Sequence, residues 1–246
     1  ELILRHFYIR AIICFGRNTF GATPTSTITL FIEKYNEPPT RYKLIQDSSK
    51  AIITGSQLSN WEDLDIFNEY LAQIGIDENV YRRFISGTVD FNTFSKYEYF
   101  NNYIVSFLKS SLLANRSKTK SFKRLTKEEQ NKIVRNLFYE YVLPIEEEKI
   151  FYFGLVRNQT TLVITSPTDN SEQKTFLGYD WSNRKGSEGI VITNPGGLLY
   201  NDKNRYATGT VAHAVKLSFE EATVQSDTLQ GIAQYYSLKD MLDFSR

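Results

Sequence analysis

Two β-rich runs near the start of the chain constrain its fold more than any other feature: residues 11–15 (Ala-Ile-Ile-Cys-Phe) and 27–34 (Thr-Ile-Thr-Leu-Phe-Ile-Glu-Lys). They flank a small polar loop punctuated by Gly16, Gly21 and Pro24, the pattern of two strands joined by an irregular turn. Two strands alone are marginal in water, so this pair needs a sheet beside it. The residues ahead of it, Glu-Leu-Ile-Leu-Arg-His-Phe, have the character of the tail of an amphipathic helix whose beginning is missing.

Beyond the pair, Glu37-Pro38-Pro39-Thr40 breaks the pattern and marks a boundary, because paired prolines continue neither a helix nor a central strand. From Ser59 or Asn60 as N-cap, Trp61, Leu64, Phe67, Leu71 and Ile74 recur at helical spacing up to Gly75. A second helix is expected over residues 97–113, with Phe100, Ile104, Phe107 and Leu108 on one face. A third runs over 126–142, opened by the capping box Thr126-Lys127-Glu128-Glu129 and closed before Pro144. A fourth is expected over 145–158, where Glu146, Glu147 and Glu148 suit the positive end of a helix dipole. Residues 160–166 then read as a β-branched strand, followed by a short strand through Phe176 and another at 190–193. Residues 210–219 read as a helix and 229–244 as partly helical. The aromatic faces of the middle helices point to packing on one another and to a protein interface.

Composition narrows the function classes. A chain of 246 residues with 14% aromatics can bury a real core, and its net charge of +1 supplies no global positive field, so any nucleic-acid contact has to come from a local patch. The single cysteine, Cys14, rules out an internal disulfide and reads as a small core hydrophobe. His6 and His213 lie far apart and have no cysteine companions, so no metal site is expected. No run reaches the roughly 18 apolar residues that span a bilayer, and the first residues lack the order of a signal peptide. These readings point to a cytoplasmic protein that makes no membrane contact.

Residues 182–186, Ser-Asn-Arg-Lys-Gly, form a small, polar and basic loop able to present backbone N–H groups and two cations to a phosphate; an ordinary solvated turn is the alternative. Residues 116–127 hold six cations and no acid, which suits either a loop tracking a DNA backbone or a solvated linker. The segment 19–31, Thr-Phe-Gly-Ala-Thr-Pro-Thr-Ser-Thr-Ile-Thr-Leu-Phe, resembles the closing strands of DNA adenine methyltransferases that act on the exocyclic amino group. In that family the residue at the position of Phe20 packs against the adenine flipped out of the duplex, where an extruded base needs a new π partner. On the residues alone, Phe20 reads first as a core phenylalanine at a strand end, and the resemblance brings the base-contact reading level with it.

A second resemblance covers residues 174–190, Lys-Thr-Phe-Leu-Gly-Tyr-Asp-Trp-Ser-Asn-Arg-Lys-Gly-Ser-Glu-Gly-Ile. It is similar to a segment found beyond the catalytic domain in modification subunits of type I restriction-modification systems, with Lys185 in place of a second arginine. Gly-Gly-Leu-Leu-Tyr-Asn at 196–201 and the stretch 238–246 resemble later segments of the same subunits, in the same order. What is absent matters as much. Neither Asn36-Glu37-Pro38-Pro39 nor Asn194-Pro195-Gly196-Gly197 fits the family's Asn/Asp-Pro-Pro-Tyr/Phe catalytic turn, and no glycine-rich cofactor loop is present.

The expected fold is α+β and mainly helical: a remnant terminal β-hairpin of a Rossmann-like methyltransferase sheet, a helical region and a small β-containing segment. The corresponding divisions are residues 1–36, 37–158 and 159–246. The resemblance implies a fragment of a modification subunit whose intact parent transfers methyl from S-adenosylmethionine to adenine in DNA, together with a specificity subunit and, where the parent is part of a restriction complex, a restriction subunit of the same system. The fragment is expected to be inactive alone, with no catalytic residue and no bound cofactor. Its assigned contacts are Phe20 with the flipped base, and Thr19, Thr23, Asn183, Arg184 and Lys185 with DNA. A non-catalytic protein-interaction or DNA-clamping helical module is the competing reading.

Overall fold

The computed structural model describes residues 2–16, 19, 25–36, 38–56, 61–87, 91–180 and 191–245. In chain order these form α1 (Leu2–His6), β1 (Phe7–Phe15), β2 (Thr27–Lys34), α2 (Pro38–Thr54), α3 (Trp61–Ile74), α4 (Glu78–Ile85), α5 (Phe91–Phe94) and α6 (Glu98–Leu108). They continue as α7 (Ser111–Lys118), α8 (Lys120–Lys123), α9 (Lys127–Val156), β3 (Thr160–Thr165), α10 (Asn170–Leu177), β4 (Tyr179–Asp180), β5 (Val191–Ile192), α11 (Val211–Phe219) and β6 (Ala233–Ser237). The protein is thus mixed α and β, and mainly helical.

The chain divides into two units, one of residues 1–36 with 158–241 and one of residues 37–157 with 242–246. The first and third segments expected from the sequence therefore meet in one sheet. Its strand order is β2-β1-β3-β6, antiparallel between β1 and β2, parallel between β1 and β3, and antiparallel between β3 and β6. The hairpin is not left without a neighbour: Ala11 faces Phe31 on one side and Leu162 on the other. A bulge between Ile9 and Ala11 carries Arg10, which pairs with Glu33 at 2.5 Å and Glu221 at 3.0 Å.

Alternation along the strands sends Ala11, Ile13, Leu162 and Ile164 to one face, where they are buried with Phe176, Val211 and Ala214. Helix α11 lies on that face, opened by Thr210, whose hydroxyl accepts from the His213 N–H at 3.2 Å.

The helical unit is organised around α9, a helix of 30 residues. Its N-terminus has the expected capping box: the Thr126 hydroxyl accepts from the Glu129 N–H, and the Glu129 carboxylate accepts from the Thr126 N–H at 2.8 Å. The third and fourth helices expected from the sequence are one, because Pro144 lies inside it. A proline forfeits one helical hydrogen bond, and burial of Val142, Glu146 and Ile150 on either side of it holds the helix together. Gly154 lets α2 approach: a β-carbon there would stand 2.6 Å from the Ile45 Cγ2.

Three further expectations are corrected. The helix over 97–113 breaks at Lys109, and Ser110 caps a new helix by accepting from the Leu113 N–H. Residues 170–177 are helical rather than extended, since Asp169 accepts from the Ser171 and Glu172 N–H groups and Gly178, at φ +81°, ends the helix. Residues 229–244, expected to be helical in part, hold the 3₁₀ turn Leu238–Met241, and the correction there is strand β6 ahead of it. Residues 38–54, where the sequence shows only the proline boundary, form α2; proline is tolerated in a helix's first turn. The expected cap at Ser59 or Asn60 lies outside the described residues. No described helix is long and apolar enough to cross a membrane.

Candidate functional site

Because β1 and β3 run parallel, their carboxyl ends leave the sheet at the same edge, the position where open α/β sheets hold ligands. Gly16 follows β1 there, and Ser166 follows β3; the Ser166 N–H donates to the Cys14 carbonyl at 2.8 Å. Thr19 is buried in the turn after Gly16, its hydroxyl donating to the Gly16 carbonyl at 2.8 Å. The Tyr179 hydroxyl donates to the Thr19 carbonyl at 2.7 Å. Gln173 on α10 closes the other side: a β-carbon on Gly16 would meet its Nε2 at 2.6 Å.

Gly178 and Gly197 complete the edge. The Leu198 N–H donates to the Phe176 carbonyl at 3.0 Å, and a β-carbon on Gly178 would fall 2.1 Å from the Asn194 carbonyl oxygen and 2.3 Å from the Gly197 nitrogen. Both glycines have positive φ, so they are required by conformation as well as by space. Phe15 meets Phe176 edge to face at 6.4 Å. Lys174 pairs with Asp180 at 2.9 Å, across the start of β4.

Of the residues assigned from the sequence, Thr19 stands at this edge with its hydroxyl turned to the Gly16 carbonyl and its own carbonyl turned to the Tyr179 phenol. Phe20, Thr23, Asn183, Arg184 and Lys185 lie outside the described residues. Among the described residues no group of three His, Cys, Asp or Glu side chains is placed to hold a metal. Cys14 is half-buried in β1. On the α11 face of the sheet, a cavity of about 520 Å³ is floored by Ile13, Phe15, Phe31 and Val215 and carries Arg205 and Lys216 in its lining.

Sequence reading missed a cluster in the helical unit. Glu146, expected to face a helix dipole at an N-terminus, lies mid-helix and fully buried. Its Oε1 accepts from the hydroxyls of Tyr99 and Tyr103, and its Oε2 accepts from Tyr81 at 2.6 Å and Tyr70 at 3.2 Å. Helices α3, α4 and α6 each contribute phenols, so one carboxylate ties three helices to α9. Burial, and then the negative charge of Glu146, push the phenols of Tyr70, Tyr81, Tyr99 and Tyr103 upward. The Lys149 ammonium stands 4.0 Å from the Glu146 Oε1 and over the rings of Tyr99 and Tyr103; burial lowers its pKa, opposed by Glu146 and Asp243. Four phenols enclose the two oxygens of this fully buried side chain, and the Tyr70 and Tyr99 hydroxyls also meet each other at 2.8 Å. Glu146 therefore has no acceptor capacity left for a substrate, and the cluster is a fastening of the helices. The available signal was spacing: Glu146 shares the face of Val142 and Ile150, where a solvated acid does not belong.

No family model matches the sequence, and no curated protein and no solved structure matches it.

Proposed function

We propose that this chain is the C-terminal part of a modification subunit of a type I-like restriction-modification system, holding the closing strands of a Rossmann-like methyltransferase sheet. The observation that supports it most is the Tyr179–Thr19 hydrogen bond at 2.7 Å, which joins two stretches 160 residues apart. Those stretches are two of the four that carry the resemblance, and the Gly178–Gly197 contact draws in a third. Three of the four segments selected only by their likeness to one family share one sheet edge, as parts of a single working surface would.

In the intact parent, S-adenosylmethionine supplies the methyl group and a flipped adenine receives it, with a specificity subunit reading the DNA and a restriction subunit acting in the same system. Gly178 does not supply a cofactor loop: it ends a helix instead of opening one, and its N–H is spent on the Lys174 carbonyl. The cofactor and the catalytic turn belong to other parts of the parent, and this chain's contribution is to contact DNA or the specificity subunit.

The test is methyl transfer from labelled S-adenosylmethionine to duplex DNA. The complete gene product with its specificity subunit should methylate adenine, and this chain alone should not. In the complete protein, Phe20→Ala should lower turnover more than cofactor binding. Methylation by this chain alone, or none by the complete product with its partner, overturns the proposal.

A further inference from the structure

Between Tyr99 and Lys127 the chain carries Lys109 and six further cations from Arg116 onward, and no aspartate or glutamate. Seven of the 29 basic residues and none of the 28 acidic ones lie in this stretch, which leaves 22 basic against 28 acidic residues elsewhere. A nearly neutral protein is thus a segment of +7 on a body of −6.

The structure makes this segment an ordered surface. Arg116 and Lys118 occupy the last turn of α7, Lys120 and Lys123 lie on α8, Arg124 follows it, and Lys127 opens α9. The turns between these helices are fixed by side-chain caps: Thr119 accepts from the Phe122 N–H at 3.3 Å, and Thr126 forms the capping box with Glu129. Phe122 is buried, and Gln130 Nε2 donates to the carbonyls of Phe122 and Leu125 at 3.2 and 3.1 Å. Against this fixed backbone all seven cationic side chains are exposed, and among the described residues none forms an ion pair. Like charges held this close repel, and a polyanion relieves that repulsion while releasing its own counterions.

We propose that α7, α8 and the start of α9 form a surface that binds the phosphate backbone of duplex DNA without reading its sequence. The inference rests on the DNA-acting reading given above and moves the main backbone contact from residues 183–185 to the helical unit. Among the described residues no carboxylate pairs with these side chains to orient them toward a base edge, so they follow phosphates. An anionic lipid surface is less well served. The aromatics from Tyr99 to Lys127, Phe122 among them, are buried, and the cations spread over three helices instead of one amphipathic face.

The test is fluorescence anisotropy of a short labelled duplex with the whole chain, followed over a salt series. Lys118→Gln, Lys120→Gln and Lys123→Gln together should weaken binding about tenfold or more at low salt, and should make the log–log salt slope shallower by about 0.9 for each phosphate that is no longer neutralised. The control, Lys43→Gln, Lys50→Gln and Lys96→Gln, removes the same charge from exposed positions and should leave the slope unchanged. Circular dichroism checks that both variants keep the fold.

Equal slopes for wild type and the first variant overturn the surface and leave the DNA-acting reading standing. Binding to phosphatidylserine vesicles without binding to duplex overturns it in favour of lipid. Failure of the complete gene product to methylate DNA overturns the functional reading instead, and the surface is then judged on the salt slope.

Discussion

At the scale of single residues, Glu146 decides the stability of the helical unit. Glu146→Ala would leave the buried phenols of Tyr81 and Tyr103 without their acceptor and Tyr70 and Tyr99 with only each other at 2.8 Å, and should cost about 3–5 kcal/mol in urea unfolding, at about 1–3 kcal/mol for each unsatisfied group. Glu146→Gln keeps the shape and one acceptor oxygen, and should cost about 1–3 kcal/mol. The same cluster sets an alkaline limit. Its tyrosines have folded pKa values raised above the ordinary value of about 10. Their contribution to stability is therefore complete below about pH 10. It is lost as the pH rises further, where the unfolded chain releases protons that the folded one retains. The melting temperature should accordingly fall steeply above about pH 10. Tyr99→Phe, which removes one titrating group, should make that fall less steep.

At the scale of elements, caps and tight glycines determine where helices begin and end. Thr126→Ala removes the N-terminal cap of α9 and should cost about 1 kcal/mol, read from thermal unfolding. Gly178→Ala should be worse. The positive φ alone costs about 1–3 kcal/mol for a residue with a side chain, and the added carbon would collide with the Asn194 carbonyl. Hydrogen exchange should localise that damage to residues 176–180 and 191–200, with α9 unaffected.

At the scale of the whole molecule, the sheet is assembled from both ends of the chain, with the helical unit inserted between β2 and β3. A chain ending at residue 157 would lose β3 and β6 and leave β1 and β2 as an unsupported pair. Its β1 and β2 amides should exchange freely with solvent, while the helical signal of residues 61–156 persists. The tail also matters to the helices: Phe244 packs edge to face on Tyr70 at 6.5 Å and on Phe153 at 5.5 Å.

The sequence by itself determined what depends on near neighbours. The strand pair around Gly16, the capping box at Thr126, the helix ended by Gly75 and the β-branched run at 160–165 were all legible, because each is decided within a few residues by alternation, capping or backbone freedom. Only the tertiary structure decided that Pro144 is carried inside one helix, since burial on both sides outweighs one lost hydrogen bond. It also decided that β3 lies beside β1, and that Tyr179 reaches the turn at Thr19. The Glu146 cluster belongs to the same group: four phenols from three helices make a buried carboxylate tolerable, and no local pattern shows that they will converge. Pairings across such separations are set by which faces the fold brings together, and that information lies in the packed chain alone.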